Sequence, residues 1–269
     1  MSHPVIDKKH LEKTWESILE NPEARKKVAR ILAEQDESTD ALNCISPKTV
    51  DSAALKEKYE GQSVFMAFLH RQNSISRWTK SQSIQQESLN DHCASVAYLG
   101  LLMGAYHQFM YPETDLIPER LAVFCLFHDS PESISEDVNG VLKSSDEKLR
   151  KLLKETEGYI AQKIAATIDP ILSPFITPYF LMACTPLEKD FVKAADLLSA
   201  YAKAKCELRS NNADFAYAAG QLREDLTEYI EKYQAVKFVY DHYIKAYELT
   251  IDEMITFLPT IDDLDKAKG

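Results

Sequence analysis

Glycine is scarce in this chain, seven in 269 residues, and clusters of turn-forming residues are few. A fold built of many short strands needs such residues at each reversal, so the composition argues against an all-β protein. No apolar run reaches about 18 residues, so no membrane span is expected. The charged stretch from His10 to Glu20 lacks the apolar centre of a signal peptide. The five cysteines are scattered, with no C-x-x-C pair, and are expected to be free thiols in a reducing compartment. The expected address is therefore the cytoplasm. Basic residues are outnumbered, 31 Lys and Arg against 42 Asp and Glu, for a net charge of −11. A phosphate backbone requires a basic footprint, so a nucleic-acid polymer is not an expected partner. A small anionic substrate remains compatible if a metal and a few cations meet it locally.

What the chain does contain is one helical pattern after another, and its length suits one domain or two. Leu11, Trp15, Ile18 and Leu19 share one helical face, Asn21-Pro22 breaks it, and Val28, Ile31 and Leu32 suggest a second helix. Residues 35–50 are polar and read as a linker. Residues 1–60 are thus expected to be a helical extension and linker, 61–260 the main domain and 261–269 a polar tail. Within the main domain Phe65, Phe68, Leu69 and Ile75 look like core. From His92 the helical spacing gives Val96, Leu99, Met103, Tyr106 and Met110 on one stripe, with His107 read as packing or surface. Pro118-Glu119 opens the next helix, whose stripe Leu121, Phe124, Cys125 closes on His128. Residues 146–168 read as a charged amphipathic helix, and a short helix is expected after the prolines of 169–178. Pro186 opens a helix with Phe191, Ala195, Leu198 and Ala202 on one face. Two more helices are expected over 213–236 and 237–258.

The stretch that carries chemistry is Phe127-His128-Asp129-Ser130-Pro131-Glu132. An apolar helix delivers an adjacent imidazole and carboxylate, and a second carboxylate follows three residues after Asp129. Ser130 is a candidate cap for a new helix carrying Glu132. His92 opens the buried stripe of one helix and His128 closes that of the next, so the two rings can meet at the ends of antiparallel neighbours. A lone histidine in such a place is ordinarily core, and Asp196, flanked by Ala and Leu, is ordinarily an exposed boundary residue. Together, His92, His128, Asp129 and Asp196 offer two imidazoles and two carboxylates, a suitable set for an octahedral divalent ion with water positions open. Arg77-Trp78 reads either as a surface arginine beside a packing tryptophan or as a phosphate fork beside a flat wall for a sugar.

The ordered set H…HD…D, one part to each helix, resembles the all-helical HD-domain phosphohydrolases. The stretch from about Ser63 to Glu253 is similar to the bacterial 5′-deoxynucleotidases of the YfbR type. The matching pieces are Arg77-Trp78, His92 fourteen residues after the tryptophan, His128 to Glu132, Asp137, and Lys193-Ala194-Ala195-Asp196-Leu197-Leu198-Ser199-Ala200-Tyr201. The resemblance implies an all-α HD-domain bundle with an additional N-terminal helical layer. It also implies a cytoplasmic, metal-dependent phosphoric monoester hydrolase in which a metal-activated water attacks deoxynucleoside 5′-monophosphates. His92, His128, Asp129 and Asp196 would hold one divalent metal ion, Mn²⁺ or Co²⁺ before Mg²⁺ or another ion. Glu132 would move the proton, with Asp129 counted beside it as catalytic. Arg77 would grip the 5′-phosphate, Trp78 would occupy the place of a ribose 2′-hydroxyl, and Asp137 would bind the 3′-hydroxyl. Two departures stand out: the first sixty residues are extra, and Asn90-Asp91 replaces the usual Ser-Glu before the first histidine. A homodimer is left open.

Three rival readings use the same residues. A triphosphohydrolase on the same fold needs more cations than Arg71, Arg77, Lys80, Lys143 and Lys193. A two-metal phosphodiesterase needs a further pair of His ligands, and the seven histidines offer none. A non-catalytic nucleotide sensor or interaction module has no use for an intact ligand set with Glu132.

Overall fold

The computed structural model describes residues 52–136 and 146–260. The expected N-terminal layer, apart from the helix at its end, lies outside the described residues, as do Asp137, Lys143 and the polar tail. Among the described residues the elements are helices and short 3₁₀ turns, and the only strand-like pairing is a single antiparallel bridge between Ser76 and Ser88. The helices are α1 (Ser52–Lys58), α2 (Phe65–Arg71), α3 (Leu89–Met110), α4 (Pro118–Phe127), α5 (Glu132–Ser135), α6 (Glu147–Ala165), α7 (Ser173–Phe180), α8 (Pro186–Arg209), α9 (Ala216–Lys232), α10 (Gln234–Tyr243) and α11 (Ile251–Ile255). The expectation of an all-α protein holds.

Local chemistry sets several of these boundaries. At the start of α3, Ser88 Oγ accepts from the Asp91 amide at 3.1 Å while the Ser88 amide donates to Asp91 Oδ2 at 3.0 Å. This is a reciprocal capping box, and it fixes His92 in the first turn of the helix. Asp91, one of the two departures from the family pattern, thus has a structural task. Thr185-Pro186-Leu187-Glu188 does the same for α8: the Thr185 amide donates to Glu188 Oε2 at 2.7 Å, and the Glu188 amide donates to Thr185 Oγ1 at 3.2 Å. Proline at the first helical position costs nothing there. α6 starts on Asp146, whose carboxylate accepts from the Leu149 amide at 3.0 Å.

The chain divides into two compact units. In the first, whose described residues are 52–77, 87–94, 123–136 and 146–189, Ile160, Ile164 and Ile168 recur every four residues along and just beyond α6, and with Ala161, Ala165, Phe65 and Phe180 they form a buried cluster. Phe180 meets Phe65 edge-on at 5.3 Å and Phe127 at 5.7 Å, geometries that aromatic pairs favour. Phe68 and Leu69 pack partly buried against the same cluster, and Ile75 forms a second buried group with Leu89 and Cys93.

In the second unit, whose described residues are 78–86, 95–122 and 190–260, Val96, Leu99 and Met103 of α3 are buried as their spacing requires, and so are Phe191, Ala195, Leu198 and Ala202 of α8. Tyr106 stacks on Phe238 at 3.9 Å, while Met110 is exposed and lies beyond the buried part of its stripe. His107 packs perpendicular to Phe191 at 5.3 Å, and burial lowers its pKa. No helix among the described residues is long and apolar enough to cross a membrane.

The C-terminal expectation needs correction. Two helices were expected over 213–236 and 237–258. Instead α9 ends at Lys232, Tyr233 is extended, and α10 runs only to Tyr243. Tyr233 lies edge-on to Phe191 at 5.1 Å and donates its hydroxyl to Asp190 Oδ2 at 2.5 Å. These tertiary contacts place the break at that residue. A further break at Leu249 precedes α11, which begins on a capping box between Thr250 and Glu253.

Candidate active site

The first unit brings three of the anticipated ligands together. His92 is fully buried in the first turn of α3, and His128 and Asp129 follow directly on the end of α4. The two imidazole rings lie 5.4 Å apart. His128 Nδ1 donates to the Cys125 carbonyl at 2.7 Å. A carbonyl can only accept, so a proton sits on Nδ1, and Nε2 is the nitrogen turned to the site. His128 Nε2 lies 3.1 Å from Asp129 Oδ2, and His92 Nε2 lies 3.8 Å from the same oxygen. Burial opposes protonation of His128, but the charge and hydrogen bond of Asp129, with help from Cys93, outweigh it and hold its pKa well above the ordinary value. Asp196 lies on α8 with its side chain mostly buried, paired to Lys193 Nζ at 2.7 Å. His92, His128 and Asp129 belong to the first unit and Asp196 to the second. Imidazole nitrogens and carboxylate oxygens suit a divalent ion, which would displace the Nε2 proton of His128, so the donor chemistry fits a metal.

Arg77 closes on the same oxygen. Its Nη1 donates to Asp129 Oδ2 at 3.3 Å, and its Nε lies 3.5 Å from Glu87 Oε2. The backbone fixes this position: the Arg77 amide donates to the Glu87 carbonyl at 3.0 Å, beside the Ser76–Ser88 bridge. Glu87 was missed in the sequence because it sits ten residues away across a loop, where no periodicity points to it. Trp78 follows with φ +59°, in the left-handed region that a bulky residue seldom occupies. Its ring rests on Phe215 at 5.0 Å between centroids and it remains partly exposed.

Glu132 is buried as the first residue of α5, and its amide donates to the Asp129 carbonyl at 2.9 Å. It therefore stands one turn from His128 and Asp129. The expected Ser130 cap is not made. Pro131 is the residue before α5 and makes no side-chain cap, while Ser130 Oγ accepts from Gln72 Nε2 at 3.1 Å in a buried contact. The turn is braced instead by Arg71, whose Nε donates to the Ser133 carbonyl at 2.8 Å and whose Nη2 pairs with Glu136 at 3.4 Å. Arg71, one of the cations available to a longer phosphate chain, is thus engaged in structure. Asp137 lies outside the described residues.

An all-α architecture with an adjacent His-Asp at the end of a helix is the HD-domain pattern, and solved structures share the fold. An HD-domain phosphohydrolase of Listeria innocua superimposes with a TM-score of 0.60 at 17% identity, over 76% of this chain and 98% of the other. The cyanophage S-2L HD phosphohydrolase DatZ, bound to dA and one catalytic Zn²⁺ ion, superimposes with a TM-score of 0.50 at 20% identity, over 66% of this chain and 95% of its own. Within that class the match narrows. The model of the YfbR-like 5′-deoxynucleotidases matches residues 64–247, and the chain belongs to that family. A 5′-deoxynucleotidase of Pasteurella multocida is 28% identical over 191 residues, 71% of this chain and 96% of the relative. The 5′-deoxynucleotidase YfbR of Escherichia coli is 26% identical over 194 residues, 72% and 96% respectively.

Proposed function

We propose that this chain is a metal-dependent 5′-deoxynucleotidase that hydrolyses deoxynucleoside 5′-monophosphates to deoxynucleoside and phosphate. The observation that carries the reading is the convergence within the first unit of His92 and His128, whose Nε2 atoms lie 3.8 and 3.1 Å from Asp129 Oδ2, with the Arg77 guanidinium 3.3 Å from the same oxygen. Membership of a family whose named relatives are 5′-deoxynucleotidases supports it.

His92, His128, Asp129 and Asp196 would hold one divalent ion, Mn²⁺ or Co²⁺. When bound, that ion would supply Lewis acidity for the phosphoryl oxygens and would lower the pKa of a water. The Cys125 carbonyl keeps the His128 tautomer fixed so that Nε2 remains a ligand atom. Arg77, pre-oriented by Glu87, offers its guanidinium to the 5′-phosphate. Glu132 transfers a proton between water and the departing 5′-oxygen from a backbone position fixed against Asp129. Trp78, next in the chain to the phosphate-binding arginine, faces the sugar and disfavours a 2′-hydroxyl, and Asp137 takes the 3′-hydroxyl. Residues 61–260 form the catalytic domain, 1–60 an extension, 261–269 a tail, and the enzyme works in the cytoplasm.

The test is phosphate release from a panel of deoxynucleoside and ribonucleoside monophosphates and deoxynucleoside triphosphates, each with Mn²⁺, Co²⁺ and Mg²⁺. Phosphate from the deoxynucleoside monophosphates ahead of the ribonucleotides is the expected result. Triphosphate release from the triphosphates with no monophosphate hydrolysis overturns the reading in favour of the triphosphohydrolase.

A further inference from the structure

Glu207 is a fully buried carboxylate that the proposed chemistry does not use. Burial of a carboxylate is costly unless its lone pairs are filled, and here they are. Oε1 accepts from Ser83 Oγ and the Gln85 amide, both at 2.9 Å, and from Lys203 Nζ at 2.5 Å. Oε2 accepts from the Ile84 amide at 2.9 Å and from Asn212 Nδ2 at 2.8 Å. Three of these five donors belong to one short loop that begins just after Trp78. The helpers of Glu207 reach the same loop: Lys203 donates to the Gln85 carbonyl, and Asn212 Nδ2 donates to the Gln82 carbonyl at 2.7 Å.

The same two helpers also reach the platform under the indole. Asn212 caps the 3₁₀ turn Ala213–Phe215, its Oδ1 accepting from the Asp214 amide at 3.3 Å. Lys203 Nζ lies 5.9 Å from the centre of the Phe215 ring, on which Trp78 rests. Trp78 is therefore held from two sides, through its own chain and through its platform, and both lead to Glu207. Its φ of +59° fits this account, because a bulky residue keeps a left-handed backbone only where its surroundings over-determine it.

We infer that Glu207, with Asn212 and Lys203, is the positioning cluster that makes Trp78 a rigid wall and so sets the discrimination between deoxyribose and ribose. The inference rests on the reading of Trp78 proposed above. A wall selects against a hydroxyl only if it cannot retreat. A loosened indole moves aside, and the ribonucleotide gains access while the metal ligands and Arg77 are untouched.

The experiment uses the full chain carrying Trp15→Phe, which leaves Trp78 as the single tryptophan of the two. Asn212→Ala, Phe215→Leu and Glu207→Gln are compared by acrylamide quenching of Trp78 fluorescence below the unfolding temperature. They are also compared by kcat/KM for dAMP and AMP. Gly104→Ala serves as a variant that loses stability elsewhere. The expected result is at least about a twofold rise in quenching and at least about a fivefold fall in the dAMP/AMP ratio for Asn212→Ala and Phe215→Leu, with neither change in Gly104→Ala. Should Glu207→Gln not fold, Asn212→Ala carries the test. Quenching unchanged in Asn212→Ala and Phe215→Leu overturns the inference, and so does quenching that rises while the ratio stays put. A parent with no preference between dAMP and AMP refutes the sugar reading of Trp78 and the discrimination drawn from it, and the quenching then decides the holding of the indole alone.

Discussion

Replacing Glu207 with glutamine changes one oxygen into an NH₂ group and removes a charge. The native carboxylate meets five donors and no acceptor. Whichever way the amide turns, its NH₂ faces donors, at best the Ile84 amide and Asn212 in place of Oε2. Lys203, itself buried, loses its ionic partner. Breaking a buried pair by removing one member costs about 3–5 kcal/mol. The titration of Glu207 leads to a similar figure. Burial alone would raise its pKa, but Lys203, Asn212 and the Ile84 and Gln85 amides outweigh that and bring it from 4.5 to about 2. A depression of that size corresponds to roughly 3 kcal/mol at neutral pH. Because the folded value lies below the unfolded one, the stabilisation is fully present above pH 4.5 and is lost as pH falls through about 2. In a chain of this length each kcal/mol moves Tm by about 2–4 °C, so Glu207→Gln is expected to melt roughly 10 °C lower at pH 7. The gap should narrow at pH 3. Calorimetry or circular dichroism melts of both proteins at the two pH values are the assay. A Tm difference under about 2 °C at pH 7, or a gap as wide at pH 3, refutes the reasoning.

Glu132→Ala should keep metal and substrate binding while kcat falls by about 10²–10⁴, the usual contribution of a positioned proton-transfer group; near-normal kcat with dAMP rejects the role. Trp78→Ala should narrow the dAMP/AMP ratio in kcat/KM by roughly 5–150-fold, mainly by improving AMP, since an unpaired buried hydroxyl costs about 1–3 kcal/mol; an unchanged ratio makes Trp78 a core residue only. Gly104→Ala pits two effects against each other. Alanine is the better helix former by about 1 kcal/mol, but its Cβ would stand 2.9 Å from Pro118 Cα and 3.2 Å from Pro118 Cβ. Overpacking against a backbone atom costs about 1–3 kcal/mol, so a net loss of stability is expected in denaturant unfolding, and a gain contradicts the packing argument.

The sequence by itself determined the helical class, the buried stripes of α3, α4 and α8, and the order of the candidate ligands. Each of these follows from a local rule. The 3.6-residue period places Val96, Leu99 and Met103 with His92, and a proline with a carboxylate two residues on marks the start of α8. The tertiary structure alone decided what depends on partners distant in the chain. Ser130 has every local mark of a helix cap, yet its hydroxyl is taken by Gln72, 58 residues earlier. The pattern over 213–258 reads as two long helices, yet Tyr233 breaks it for contacts with Asp190 and Phe191. Glu207 looks like one more charge on a charged helix, and its donors Ser83, Ile84 and Gln85 lie more than 120 residues away. Periodicity reports which face of a helix is buried. It is silent on which buried polar group another will satisfy, because a hydrogen bond is fixed by positions in space and leaves no regular trace along the chain.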